Sequence, residues 1–97
     1  MRVELRDEAR DDLFRAMDFY DRQRRGLGHH FYEQIFEDLE DLKSQAGIHS
    51  RSNGFHRKSS KRFPFDIYYL VEGQIVDVAA ILDSRQDPGV IALRLRS

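Results

Sequence analysis

The sequence predicts an α+β fold with the order β-α-α-β-β-β and a short closing α, a helical hairpin packed on a small, mostly antiparallel sheet. Three observations predict it. Two consecutive segments repeat apolar residues at helical spacing and are parted only by "RRGLG". The stretch "FPFDIYYLVEGQIVDVAAILD" then places two apolar runs on either side of a Glu72–Gly73 turn, as a pair of strands does. Finally, 97 residues suffice for one small domain, residues 1–97, with little surface buried beyond a single core.

The first element is "MRVEL", where Val3 stands between charged neighbours in strand-like alternation. Asp7 is a suitable N-cap for the helix that follows, and Asp11 lies near its positive end. Ala9, Leu13, Ala16, Met17 and Tyr20 form one apolar stripe that stops before Gly26 and Gly28. The second helix carries Phe31, Ile35, Leu39 and Leu42, widened by Tyr32 and Phe36. Its other face shows Glu33, Glu37, Asp38, Glu40 and Asp41, a solvated acidic surface. So short a connection makes the two helices an antiparallel hairpin.

"AGIHSRSNG" ends the second helix with turn-forming residues. Phe55 to Ser59 is a strand turning at Ser59–Ser60. Phe63, Phe65, Ile67, Tyr69 and Val71 then alternate, the clearest β signal in the chain. Pro64 has no N–H and belongs at the start of that strand. "QIVDVAAILD" is almost continuously apolar, which places it inside the sheet. Asp87–Pro88 supplies an N-cap and first position for a final helical turn or two through "GVIALRL".

Composition narrows the functional classes. Hydrophobic residues at 40% and charged residues at 34% describe a globular chain. There is no cysteine, hence no disulfide or thiolate metal site, in keeping with a cytoplasmic location. No apolar run reaches membrane-spanning length, and "MRVELRDEARDD" is no signal peptide. The net charge of −1 hides an asymmetry. Residues 1–50 hold 8 Lys/Arg against 12 Asp/Glu, a balance of −4, while residues 51–97 hold 8 against 5, or +3. Five of those cations, Arg51, Arg57, Lys58, Lys61 and Arg62, precede any acid of the second half. A local basic segment on a near-neutral chain suits one acidic or anionic partner better than general coating of nucleic acid.

The order and spacing of "ARDDLFRAMDFYDRQRRGLGHHFYEQIFEDLEDL" and "RKSSKRFPFDIYYLVEGQIVDVAAILDSRQDP" resemble the RelE/ParE superfamily of bacterial type II toxins over about residues 3–90. The most specific parts are "FYDRQRRGLGHHF", "RFPFDIYYLVEG" and "VAAILDSRQDP". The resemblance implies a toxin neutralised by a cognate antitoxin, as a homodimer or a toxin–antitoxin hetero-oligomer. RelE-like members cut messenger RNA on the ribosome, with strand Lys and Arg and a late Arg and Tyr. ParE-like members, the plasmid stabilisation proteins, inhibit DNA gyrase by binding. "ILDSRQDP" leans toward the second branch.

In a nuclease reading Arg57, Lys58, Lys61 and Arg62 match the strand cations, Arg85 the late arginine, and His56 a proton-transfer group. The late Tyr is missing: after Arg85 the chain has neither Tyr nor His. No catalytic set is therefore assigned. The favoured expectation is a binding rim of Arg57, Lys58, Lys61, Arg62 and Arg85, with Arg85 able to pair with Asp83 or Asp87 instead. Strand register decides which of Arg57, Lys58 and Lys61 points outward. A fold that retains antitoxin binding without toxicity is a third reading. No cofactor is expected. His29 and His30, with Glu33 one turn on, are read as helix-surface residues and not a zinc site, since no thiolate or second close His pair is available to converge with them.

Overall fold

The computed structural model describes residues 1–96. The order is β1 (Arg2–Leu5), α1 (Asp7–Gln23), α2 (Leu27–Gln45), β2 (Arg51–Ser52), β3 (Phe55–Ser59), β4 (Phe65–Glu72), β5 (Ile75–Asp83) and α3 (Pro88–Arg96). The strands form one sheet in the order β1-β5-β4-β3-β2. β1 runs parallel to β5, and the other pairs are antiparallel. The expected α+β architecture is present, with β5 inside the sheet as its apolar run required.

The stripe of α1 buries Ala9, Leu13, Ala16 and Tyr20, and that of α2 buries Phe31, Ile35, Leu39 and Leu42. Both pack on Ile67, Tyr69, Val76, Val78 and Ile81 of the sheet. At the hairpin's tip Tyr20, Phe31, Phe63 and Phe65 meet with ring centroids 4.8–6.1 Å apart. Gly28 lies in the first turn of α2 rather than in the connection. A Cβ there would sit 2.3 Å from the Met17 carbonyl oxygen, so the helices approach this closely only over a glycine. Its N–H donates to Asp21 Oδ1 at 2.8 Å, and α1 thereby caps α2.

Several local expectations are corrected. Arg6, not Asp7, stands at the N-cap of α1, without a capping side chain; its guanidinium turns to Asp77 at 2.8 Å. Tyr32 and Phe36 lie outside the core, exposed and stacked on each other. Asp38, expected on the solvated face, is fully buried. β2 went unread because it has only two residues; it joins β3 through Asn53–Gly54, both at positive φ (55° and 85°), the turn that Asn-Gly favours.

β4 is buried on both faces rather than one. Phe65, Ile67 and Tyr69 face the hairpin, while Tyr68 lies with Ala80 and Leu82 beneath Ile91 and Leu95 of α3. Opposite it, β5 carries a bulge: Tyr68 pairs with Ala80 but Tyr69 with Val78, leaving Ala79 over. Side-chain parity therefore changes, and Val76, Val78 and Ile81 all reach the hairpin core.

Candidate functional site

The basic segment is itself a strand, and a strand sends consecutive side chains to opposite faces. In β3, His56 pairs with Tyr69 and Lys58 with Ile67, so both point under the hairpin. Arg57 pairs with Tyr68 and Ser59 with Asp66, on the face that α3 covers. The expected single rim is thus divided: Arg57 is exposed on one side of the sheet and Lys58, 7% exposed, lies on the other.

Lys58 sits in a polar pocket of the hairpin core. Asp38 of α2 accepts from Gln34 Nε2 at 3.1 Å and from Ser60 Oγ at 2.7 Å. Burial raises its pKa, opposed by those hydrogen bonds and by the charges of Lys58 and Lys61. Among the described residues no acid lies within ion-pair distance of the Lys58 ammonium. No fully buried side-chain N or O there lacks a partner, so the tip of Lys58 reaches water.

Lys61 is claimed by α2, at 3.0 Å from Asp41 and 3.4 Å from Glu37, and both raise its pKa. Arg85, just after β5, forks onto Asp83 at 2.8 and 3.1 Å and donates its backbone N–H to the same carboxylate. These bonds hold the Asp83 carboxyl below the ordinary range, against a smaller effect of burial. Arg62 is exposed and free of ion pairs among the described residues. With Arg24 and His30 it borders a cleft of about 440 Å³ floored by Leu27 and Phe63. Of the five rim cations, only Arg57 and Arg62 are both exposed and free of an internal acid.

The groups of the nuclease reading are dispersed as well. His56 stacks on Tyr69 with centroids 5.1 Å apart, and its Nδ1 lies 2.6 Å from the His49 carbonyl oxygen. His49 Nδ1 is 2.5 Å from the Tyr69 hydroxyl, which also accepts the Gly47 N–H at 3.0 Å. Burial, then Lys58 and His56, lower the His49 pKa, which favours the neutral ring. Tyr68, beside Arg57, is buried beneath α3, and its pKa is raised by that burial. Lys58 and His56 are separated by the sheet from Arg57, and Arg85 belongs to Asp83.

Sequence reasoning missed Asp12. Its carboxylate accepts the Ile81 N–H at 3.0 Å, a bidentate fork from Arg94 at 2.7 Å each, and Arg15 at 3.1 Å. β1 ends opposite Val78, so beyond it Asp12 does for Ile81 what a neighbouring strand would. The signal was its position: Asp12 stands three residues after Ala9 and four before Ala16, on the apolar stripe. Gln34 and Asp38 stand likewise between Phe31, Ile35 and Leu42. His29 and His30 share only Glu33, at 3.5 and 3.8 Å, and no cluster of three possible metal ligands exists among the described residues.

A chain in the solved structure titled "Chromosomal ParDE TA system from P. aeruginosa" superposes with a TM-score of 0.74, over 84% of this chain and 92% of that one. The chain has a ParE-like fold. Identity over the match is 21%, so the likeness is one of architecture. No protein-family model matches the chain, and none of the curated proteins does. No helix among the described residues is long and apolar enough to cross a membrane.

Proposed function

We propose that this chain is the toxin of a type II toxin–antitoxin system, neutralised by a cognate antitoxin and acting in the cytoplasm by binding a protein target, DNA gyrase. The observation that carries the reading is the ParE-like fold, matched to a ParDE TA system. The dispersal of His56, Arg57, Lys58 and Arg85 supports action by binding over RNA cleavage, which needs an acid, a base and phosphate-binding cations on one reacting centre.

In this reading Arg57 and Arg62 are the primary contacts for acidic groups of a partner. Lys61 joins by exchanging Glu37 and Asp41 for partner carboxylates, a low-cost exchange for a half-exposed ammonium, while Arg85 offers a partner only the guanidinium face left open by its fork on Asp83. Lys58 acts indirectly, through the hairpin core. The deciding experiment measures gyrase supercoiling and mRNA integrity on translating ribosomes with the same purified protein. Inhibited supercoiling with intact mRNA is expected; cut mRNA, or neither effect, overturns the gyrase assignment. Arg57→Ala and Arg62→Ala should each weaken antitoxin binding about tenfold while stability changes by less than about 0.5 kcal/mol, as for surface sites in general.

A further inference from the structure

The sheet ends on one side in β1, with no strand beyond it. Arg2 donates its N–H to Gln74 O at 2.9 Å and Arg6 to Val78 O at 3.0 Å, so the main chain at even positions is spent on β5. Val3 and Leu5 therefore direct their N–H and C=O groups outward, into no hydrogen bond among the described residues. β1 has no proline, lysine or bulge; what guards this edge is its four-residue length and the charges of Arg2 and Glu4, which constrain the partner it can take.

Beside this edge runs an apolar groove of about 290 Å³, floored by Val3, Leu5 and Leu39 and walled by Tyr32 and Phe36. Those two rings stack at 6.2 Å and are 37% and 52% exposed, although they lie on a helix whose stripe is otherwise buried. An open edge and an open apolar wall side by side call for an extended segment whose alternate side chains enter the groove.

The charges of β1 select which segment. Its side chains away from the hairpin are Arg2 and Glu4. Antiparallel pairing of β1 with β1 of a second copy, centred on Val3, sets Arg2 of each copy opposite Glu4 of the other. A shift of two residues either way sets Glu4 against Glu4 or Arg2 against Arg2, which is repulsive. The hydrogen-bond parity agrees. Val3 faces Val3 as a pair exchanging both N–H···O bonds, and the Arg2–Glu4 pairs fall at the closer, non-hydrogen-bonded positions. Within one copy Arg2 and Glu4 already pair at 3.0 Å, but both are more than half exposed, so little is lost in the exchange.

We propose that two copies of this chain associate through antiparallel pairing of their β1 edges, making one continuous sheet with five strands from each. The two-fold axis keeps both hairpins on the same side of that sheet. Tyr32 and Phe36 of each copy then cover the groove at the seam. This self-recognition is independent of the gyrase and antitoxin assignments.

Light scattering and sedimentation across a concentration series test it, on the full chain alone. Wild type is expected to dimerise. Arg2→Glu makes β1 wholly acidic and Glu4→Arg makes it wholly basic. Each should weaken self-association at least tenfold, while an equimolar mixture of the two forms a 1:1 dimer. Phe36→Glu, at a site 52% exposed on the rim of the groove, should also weaken it at least tenfold while leaving the unfolding midpoint of the monomer little changed. A wild type that stays monomeric overturns the proposal. So do charge variants that dimerise as wild type does, or a Phe36→Glu variant with undiminished association.

Discussion

The two faces of the sheet are covered by different means. One carries the α1–α2 hairpin, whose cover is broad and apolar, closed by four interlocking aromatic rings. The other carries only α3, nine residues long, which buries Ile91 and Leu95 and is tied down by Arg94 on Asp12. The first is held by area and packing. The second is held by a small apolar cluster and by a charged clasp that also reaches through to the hairpin, since Asp12 belongs to α1. A small domain can thus hold a short helix on the far side of its sheet by one carboxylate that serves both layers.

Breaking the apolar side should have the largest effect. Phe31→Ala opens a cavity among Tyr20, Phe63 and Phe65 and is expected to cost about 3–5 kcal/mol in denaturant unfolding, the usual range for a buried Phe. Breaking the clasp costs less. Asp12→Ala leaves the Ile81 N–H buried and without an acceptor, a loss of about 1–3 kcal/mol. Arg94 is a quarter exposed and can turn to water. If packing alone held α3, hydrogen exchange at Tyr68 and Ala80 would stay unchanged in this variant; faster exchange there is expected.

The smallest effect sharpens the comparison by pH. His49 has a pKa lowered by burial, Lys58 and His56, so the unfolded chain takes up the proton first. Its contribution is fully present above the ordinary histidine value of about 6.5 and declines as pH falls through it. Stability measured from pH 7.5 downward should fall more steeply in wild type than in His49→Gln, whose amide can still hydrogen-bond Tyr69 as donor or acceptor. Equal slopes in the two proteins would remove His49 from the hairpin-side network.

Much of this architecture was legible in the sequence. The stripes of α1 and α2, the alternation of β4, the apolar run of β5 and the Asp87–Pro88 start of α3 each reflect a period or a cap, which a linear text preserves. What escaped depended on contacts made across the fold. The burial of Asp38 requires Ser60 and Gln34, and that of Asp12 requires Arg94, 82 residues away. For the binding site, the identity of the cations was readable but their sides were not. Arg57 and Lys58 were grouped because they are adjacent, yet adjacency in a strand separates them. Lys61 found acids in α2, which composition alone does not pair with it, whereas Asp83 was one of the two partners readable for Arg85.

The extra residue at Ala79 has a bearing on how this chain can change. Shortening β5 there by one residue would restore an unbroken zigzag along the strand, with Val76, Val78 and Ile81 still on the hairpin side. β1, whose register is set against residues 75–78 of β5, would keep its partners. Loss of Ala79 should therefore be better tolerated than loss of a residue from within β4, where the alternation is already regular and one missing residue would turn half the strand over.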